Sequence, residues 1–147
     1  MIGSTRAPRD RAAALSRLLL DTTFLVDADR TGASLDELID DDDEVAVAAI
    51  TIAELTAGVL LADDAHRPAR KQFLDEVKVI IPIVDYDAMV AASHAELLVA
   101  VRRQGRPRGA HDLIIAATAN ATQREVVSAD TSAYEDLPGV TLRSHRP

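Results

Sequence analysis

The sequence predicts an α/β fold in which a parallel central sheet is covered by helices on both faces. Short, continuous apolar runs without polar alternation occur at Leu18–Leu20, Val45–Ile50 and Val79–Val84. Such runs are typical of strands buried on both faces of a parallel sheet. Segments with helical apolar spacing separate them, and this alternation indicates strand–helix–strand units. The 147 residues, 48% apolar and 27% charged, fit one globular core.

The chain is expected to divide into an N-terminal arm, residues 1–16, and a single domain, residues 17–147. Apolar spacing and polar breaks predict four elements in the first part of that domain: a strand at Leu18–Leu20, a helix that begins at Phe24, a helix around Leu35–Ile39, and a solvated acidic turn at Asp40–Asp43.

The second strand is predicted at Val45–Ile50, with a helix at Thr51–Leu61 directly after it. Thr51 and Glu54 have the spacing of a capping box, in which a threonine and a glutamate three residues later satisfy the first amides of a helix. The sequence therefore predicts that this helix begins at Thr51.

The second half continues the alternation of helices and strands. Gly105, Pro107 and Gly109 interrupt the chain between two predicted helices. The predicted elements are an amphipathic helix after Pro68, a strand region at Val79–Val84, a long helix at Asp87–Arg103, a helix at Gly109–Ala121, and short strands at Val126–Val127 and Val140–Leu142.

The helix at Gly109–Ala121 is apolar on nearly every side, which is typical of a helix packed in the centre of a protein. Asp112 in its first turn departs from this pattern. The helix dipole favours a carboxylate at that position, yet a carboxylate out of water still requires a partner. We therefore expect other segments to supply one.

Four carboxylates from distant segments are expected at one edge of the sheet. In open parallel sheets the working site lies outside the carboxyl ends of the strands, where the following helices also begin. The acids in such positions are Asp21 after the first strand, Asp130 after the strand at Val126–Val127, and Glu54 and Asp112 in first helical turns.

Each of these acids also has an ordinary structural explanation. Local motifs allow the following roles: Asp21 as the N-cap of a helix from Thr22, Asp130 as the cap of a turn at Thr131–Ser132, Glu54 in the capping box, and Asp112 at the helix dipole.

A shared pocket of four acids requires a cation, because their mutual repulsion otherwise raises pKa values or opens the site. Oxygen ligands in an incomplete shell, in a chain without cysteine, favour Mg²⁺ or, as a substitute, Mn²⁺. Such a site suits metal-assisted hydrolysis of a phosphodiester bond.

Composition limits the partners and the compartment. A net charge of −8 argues against broad, non-specific binding of nucleic acid. The absence of cysteine and of an apolar run near the roughly 20 residues that span a bilayer predicts a cytoplasmic protein without membrane contact. One basic stretch either binds RNA or is a solvated loop: Arg102, Arg103, Arg106 and Arg108.

Four segments of the chain resemble the signature segments of PIN-domain ribonucleases and, more narrowly, of the VapC toxins of type II toxin–antitoxin systems. The likeness runs in order from Asp21 to about Leu142. Its most specific parts are Glu-Leu-x-x-Gly at 54–58 and Asp-Leu-Ile-Ile-Ala-Ala at 112–117. The four segments are Leu18–Thr22, Ile50–Gly58, His111–Ala117 and Val127–Asp130.

The resemblance implies a PIN-like three-layer fold and a Mg²⁺-dependent endoribonuclease toxin. By this likeness Asp21 and Asp112 are metal ligands, Glu54 orients or deprotonates the attacking water, and Asp130 completes the acidic set. Family members typically cleave tRNA or ribosomal RNA, leaving a 5′-phosphate and a 3′-hydroxyl. The implied partners are a VapB-type antitoxin, an RNA substrate and a second copy of the chain.

Two other functions are alternatives to the endoribonuclease interpretation. The first is a non-catalytic, acidic, metal-binding α/β interaction module similar to a receiver domain. The second is an aspartate-nucleophile phosphatase, which requires a second aspartate where Thr23 stands. His111, next to Asp112, is either a ligand, a proton shuttle or a packing residue.

Overall fold

The computed structural model describes residues 16–143, which form a five-stranded parallel sheet with helices on both faces. None of the helices in this range is long and apolar enough to cross a membrane. The elements are β1 (Arg17–Leu20), α1 (Thr22–Thr31), α2 (Leu35–Leu38), β2 (Glu44–Ala48), α3 (Ala49–Leu61), α4 (Arg67–Ile80), β3 (Ile83–Val84), α5 (Ala88–Gln104), α6 (Ala110–Thr122), β4 (Glu125–Val127), a 3₁₀ helix (Thr131–Tyr134) and β5 (Leu142–Arg143).

The strands lie in the order β3-β2-β1-β4-β5, and every neighbouring pair is parallel. The chain runs from β1 outward to β3 and then returns to the other side of β1 for β4 and β5. At this switch point the loops after β1 and β4 leave in opposite directions, which opens a crevice at their carboxyl ends. In receiver domains β1 lies between β2 and β3 instead, so the receiver-like alternative does not fit this sheet.

Side chains of β1 alternate between two hydrophobic cores. Leu19 packs with residues of α5 and α6 on one face, whereas Leu18 and Leu20 pack with residues of α1 and α4 on the other. Alternation with a period of two follows from the pleat of a strand. The two cores confirm the predicted three layers. Helix α6 is buried from Ile115 to Ala119, as its apolar sequence predicted.

The predicted start of α3 is wrong, and so is the capping box. Strand β2 ends at Ala48, helix α3 begins at Ala49, and no side chain caps its first turn. Thr51 is fully buried, and its hydroxyl oxygen lies 3.1 Å from the hydroxyl oxygen of Thr22. Tertiary contact therefore takes the hydroxyl that the local motif assigns to a cap, and Glu54 lies in the second turn instead of the first.

Two other strand boundaries differ from the prediction. Helix α4 continues to Ile80, and β3 contains only Ile83 and Val84. Val79 is 85% exposed on the outer face of α4, which a strand covered on both faces does not allow. The last strand begins at Leu142 and not at Val140.

The acidic turn at Asp40–Asp43 is only partly solvated. The Asp43 side chain is 7% exposed and lies 3.3 Å from an Arg143 Nη1 of β5, so this carboxylate is paired across the sheet edge. The predicted N-terminal arm lies outside the described residues except for Ser16, whose carbonyl accepts a hydrogen bond from the Glu44 amide.

Candidate active site

Asp21 occupies the crevice between β1 and β4. It follows β1 directly and is the N-cap of α1: its Oδ1 accepts hydrogen bonds from the Phe24 amide at 2.8 Å and the Thr23 hydroxyl at 2.9 Å. Its own amide donates to the Val127 carbonyl of β4. The capping role is therefore confirmed, and it places a carboxylate that is 2% exposed at the strand switch point.

The other oxygen of Asp21 binds a tyrosine that the sequence analysis did not assign to the site. The Tyr134 hydroxyl donates to Asp21 Oδ2 across 2.8 Å. Burial, and next the negative charge of Asp21, raise the pKa of Tyr134 far above its ordinary value, so the phenol is neutral. No motif in the sequence signals this contact, although a tyrosine that is buried generally finds a polar partner for its hydroxyl.

Glu54 connects three helices. Its Oε1 accepts a hydrogen bond from the Thr22 hydroxyl of α1 at 2.5 Å, and its Oε2 lies 2.9 Å from His111 Nδ1 of α6. Because a carboxylate accepts, His111 donates in this contact. The side chain of Glu54 is 28% exposed, so the carboxylate is held between two donors and still reaches solvent.

Asp112 lies in the first turn of α6, and the charges of the other three acids all affect its pKa. Its pKa is raised, first by burial and then by the negative charges of Asp21, Glu54 and Asp130, while His111 opposes the shift. The negative charges of the other three acids therefore act on Asp112, although Glu54 lies in the second turn of α3 and not at the predicted helix start. The N-cap residue of α6, Gly109, leaves room for Asp112, since a Cβ there would lie 2.8 Å from Asp112 Oδ2.

Asp130 lies in the loop after β4 and precedes the 3₁₀ helix. Its amide donates to the Ser128 hydroxyl at 2.9 Å, and its Oδ1 accepts from the Ser132 hydroxyl. Ser128 is buried and lies 3.1 Å from the Thr23 hydroxyl. Asp130 occupies the predicted N-cap position, but its side chain caps no backbone amide and binds the Ser132 hydroxyl instead. The contact between Ser128 and Thr23 ties its loop to the Asp21 segment.

The donor chemistry of this site fits a hard divalent cation. All four acids offer oxygen ligands, and an accepted hydrogen bond leaves further lone pairs on each carboxylate. Within residues 16–143 no three His, Asp or Glu side chains are already grouped as a metal site. Asp21 and Glu54 instead accept hydrogen bonds from protein donors: Asp21 from Phe24 and Tyr134, and Glu54 from Thr22 and His111.

The structure separates the four candidate RNA-binding arginines into two pairs. Arg106 donates to Asp136 at 2.9 Å, and Arg108 donates to the carbonyls of Ala133 and Glu135. Arg102 and Arg103 lie exposed in the last turn of α5, and neither forms an ion pair with another described residue. The second pair is the one available to a partner.

Comparison with known proteins agrees with this fold and identifies a family. The family model of the PIN domain matches residues 18–138. A curated relative, the tRNA(fMet)-specific endonuclease VapC of Shigella flexneri, is 30% identical over 98 residues, which are 66% of this chain and 72% of the relative.

Solved structures share the fold. The VapBC2 complex of Rickettsia felis bound to promoter DNA superposes with a TM-score of 0.79 at 23% identity, covering 87% of this chain and 98% of the other. The toxin–antitoxin complex VapBC-5 of Mycobacterium tuberculosis gives a TM-score of 0.72 at 29% identity, covering 88% and 98%. The chain therefore belongs to the PIN-domain family, among the VapC nucleases of toxin–antitoxin systems.

Proposed function

We propose that the chain is a divalent-metal-dependent endoribonuclease toxin that hydrolyses RNA with Asp21, Glu54, Asp112 and Asp130. The observation that carries this proposal is the convergence of four carboxylates from four separate segments at the β1–β4 switch point. Nucleases with a PIN domain generally depend on a divalent metal ion. Mg²⁺, with Mn²⁺ as a substitute, is the cation we propose.

Asp21 and Asp112 would hold the cation directly, and Glu54 and Asp130 would reach it directly or through water. When bound, the cation supplies positive charge that stabilises the attacking and leaving oxygens. Glu54 accepts the proton of the attacking water. The water oxygen bonds to phosphorus, the bond from phosphorus to the 3′-oxygen breaks, and that oxygen takes up a proton from solvent, which leaves a 3′-hydroxyl and a 5′-phosphate.

Thr22 and His111 position the base in this scheme. Each donates to a different oxygen of Glu54, which fixes the plane of the carboxylate and leaves its remaining lone pairs for water. A fixed base within hydrogen-bond reach of the water contributes about 10²–10⁴-fold to such reactions.

Removal of divalent cations tests the function. We expect RNA cleavage to stop in EDTA and to return when Mg²⁺ or Mn²⁺ is added in excess. Bound cation should also raise the melting temperature, because a ligand at 100 times its Kd stabilises the folded state by about 2.7 kcal/mol. Cleavage that continues in EDTA would contradict metal dependence. A chain that binds the cation but cleaves no RNA would instead be a non-catalytic module.

The partner that we propose is a VapB-type antitoxin, together with a second copy of the chain. The support is the similarity to solved toxin–antitoxin complexes and the acidic site, which suits a basic side chain of a partner. Light scattering of the chain alone and mixed with a VapB-type antitoxin checks both partners. A monomer at high concentration would contradict the homodimer.

RNA binding is proposed for the arginine stretch at Arg102, Arg103, Arg106 and Arg108, chiefly through its two free members. Each phosphate contact to a single strand adds about 0.7 to the magnitude of the slope of log K against log salt. Arg102→Ala/Arg103→Ala is therefore expected to reduce that magnitude by about 1.4. The matched control is Lys71→Ala/Lys78→Ala on α4. If the slope of log K against log salt is no smaller in magnitude in Arg102→Ala/Arg103→Ala than in Lys71→Ala/Lys78→Ala, the stretch is only a solvated connection.

A further inference from the structure

The contact between Tyr134 and Asp21 joins two groups that are both excluded from water. Tyr134 is 1% exposed and Asp21 is 2% exposed. A buried phenol requires a hydrogen-bond acceptor, and a buried carboxylate requires donors. The single hydroxyl proton of Tyr134 is donated to Asp21, which lies 113 positions earlier in the sequence.

The two oxygens of Asp21 are held from opposite sides of the crevice. Oδ1 accepts from the Phe24 amide and the Thr23 hydroxyl, both on α1. Oδ2 accepts from Tyr134, which belongs to the segment after β4. The α1 donors locate one oxygen, and the phenol determines where the second oxygen lies. We propose that Tyr134 is a positioning residue of the nuclease, acting through the orientation of the Asp21 carboxylate.

The segment that carries Tyr134 is itself held by the loop before α6. Arg108 donates to the carbonyls of Ala133 and Glu135 on either side of the tyrosine. Gln104 donates to the carbonyl of Asp136, whose side chain binds Arg106. The loop therefore connects the start of the helix bearing Asp112 to the residue that orients Asp21. Arg108 supports the site from within the protein.

The inference rests on the proposed nuclease function and is tested with Tyr134→Phe, which removes one hydroxyl and keeps the ring in the core. Partners that orient a metal ligand typically contribute about 10–100-fold to affinity or activity. We expect kcat to fall by about that factor with KM within about twofold, and Mn²⁺ to bind more weakly. In the metal-free protein, the ¹³C resonance of the Asp21 carboxyl group should shift. Tyr86→Phe is the matched control, because its exposed hydroxyl contacts His94.

The outcomes separate the positioning role from the nuclease function. An unchanged kcat, Mn²⁺ affinity and Asp21 resonance in Tyr134→Phe would overturn the positioning role. If the wild-type chain cleaves no RNA, the proposed function fails, and the Asp21 resonance alone then decides for or against Tyr134. If Tyr134→Phe does not fold, Arg108→Met replaces it, because Arg108 holds the carbonyls on either side of Tyr134. We then expect the Asp21 resonance to move from its wild-type position, and an unmoved resonance would overturn the proposal.

Discussion

Replacing Asp112 with asparagine is expected to abolish RNA cleavage and, at neutral pH, to raise the melting temperature of the metal-free chain. Asparagine keeps the shape of the side chain and removes the charge that would bind the cation. We expect a loss of about a thousandfold or more in kcat, since residues that act as one catalytic unit lose most of their effect together. Cleavage assays with saturating Mg²⁺ measure this loss.

The stability gain follows from the direction of the pKa shift. Burial and the charges of three neighbouring acids raise the pKa of Asp112, so the folded state favours its protonated form. That preference stabilises the fold at pH values below the ordinary pKa of an aspartate and is lost as the pH rises through the raised pKa. Asparagine is neutral at every pH, so the Asp112→Asn protein does not lose this stability as the pH rises. The helix dipole opposes this effect by favouring a charged Asp112, but the balance of the interactions raises the pKa.

Thermal unfolding in EDTA between pH 4 and pH 8 checks the sign. The stability difference in favour of Asp112→Asn should be largest near neutrality and should shrink towards pH 4, near the ordinary pKa of aspartate. Asp75→Asn is the control, since Asp75 lies exposed on α4 in an ion pair with Lys71. A less stable Asp112→Asn protein at pH 7 would contradict the shared acidic site.

The sequence predicted the acids of the site because their positions follow from secondary structure alone. Asp21 and Asp130 follow predicted strands, and Asp112 begins a helix whose apolar character is plain from composition. Parallel strands bring such positions to one edge of the sheet. Glu54 was predicted one turn too early in its helix, but its charge still acts on Asp112.

The boundaries between elements were less predictable, because strand β2 and the start of helix α3 are equally apolar. Residues 45–53 are apolar apart from Thr51, so nothing local marks the change from β2 to α3 at Ala49. The first turn has no capping side chain and is held by packing and by the contact between Thr22 and Thr51. Local motifs do not report such contacts between distant residues.

The supporting residues of the site could not be predicted for the same reason. Tyr134 contacts Asp21 because of the path that the loop after β4 takes. Arg108 donates to backbone carbonyls, which every residue has, so no residue type in the sequence marks that contact. The arginine stretch therefore looked uniform, although the side chains of Arg106 and Arg108 bond to the segment at 133–136, whereas those of Arg102 and Arg103 form no ion pair within residues 16–143.

Gly109→Ala is expected to reduce cleavage by about a hundredfold while leaving the fold intact. The backbone of Gly109, with φ of −62° and ψ of 136°, is accessible to alanine. The new methyl group would lie 2.8 Å from Asp112 Oδ2 and must push that carboxylate aside. A displacement of about 1 Å at a reacting centre can cost about 10²-fold.

The stability of Gly109→Ala should change little, because two effects oppose each other. Alanine restricts the unfolded chain, which stabilises by about 0.4–1 kcal/mol, but it is a poorer N-cap than glycine by a similar amount. Gly58→Ala is the matched control: apart from its chain neighbours and the backbone of its own helix, no atom lies within 4 Å of a Cβ there. Cleavage should therefore persist while helix propensity adds about 1 kcal/mol. Denaturant unfolding and cleavage assays on both variants separate the two effects. Full cleavage by Gly109→Ala would mean that the position of the Asp112 carboxylate does not limit the reaction. A side chain that can be displaced without loss of rate does not hold the reacting groups in place.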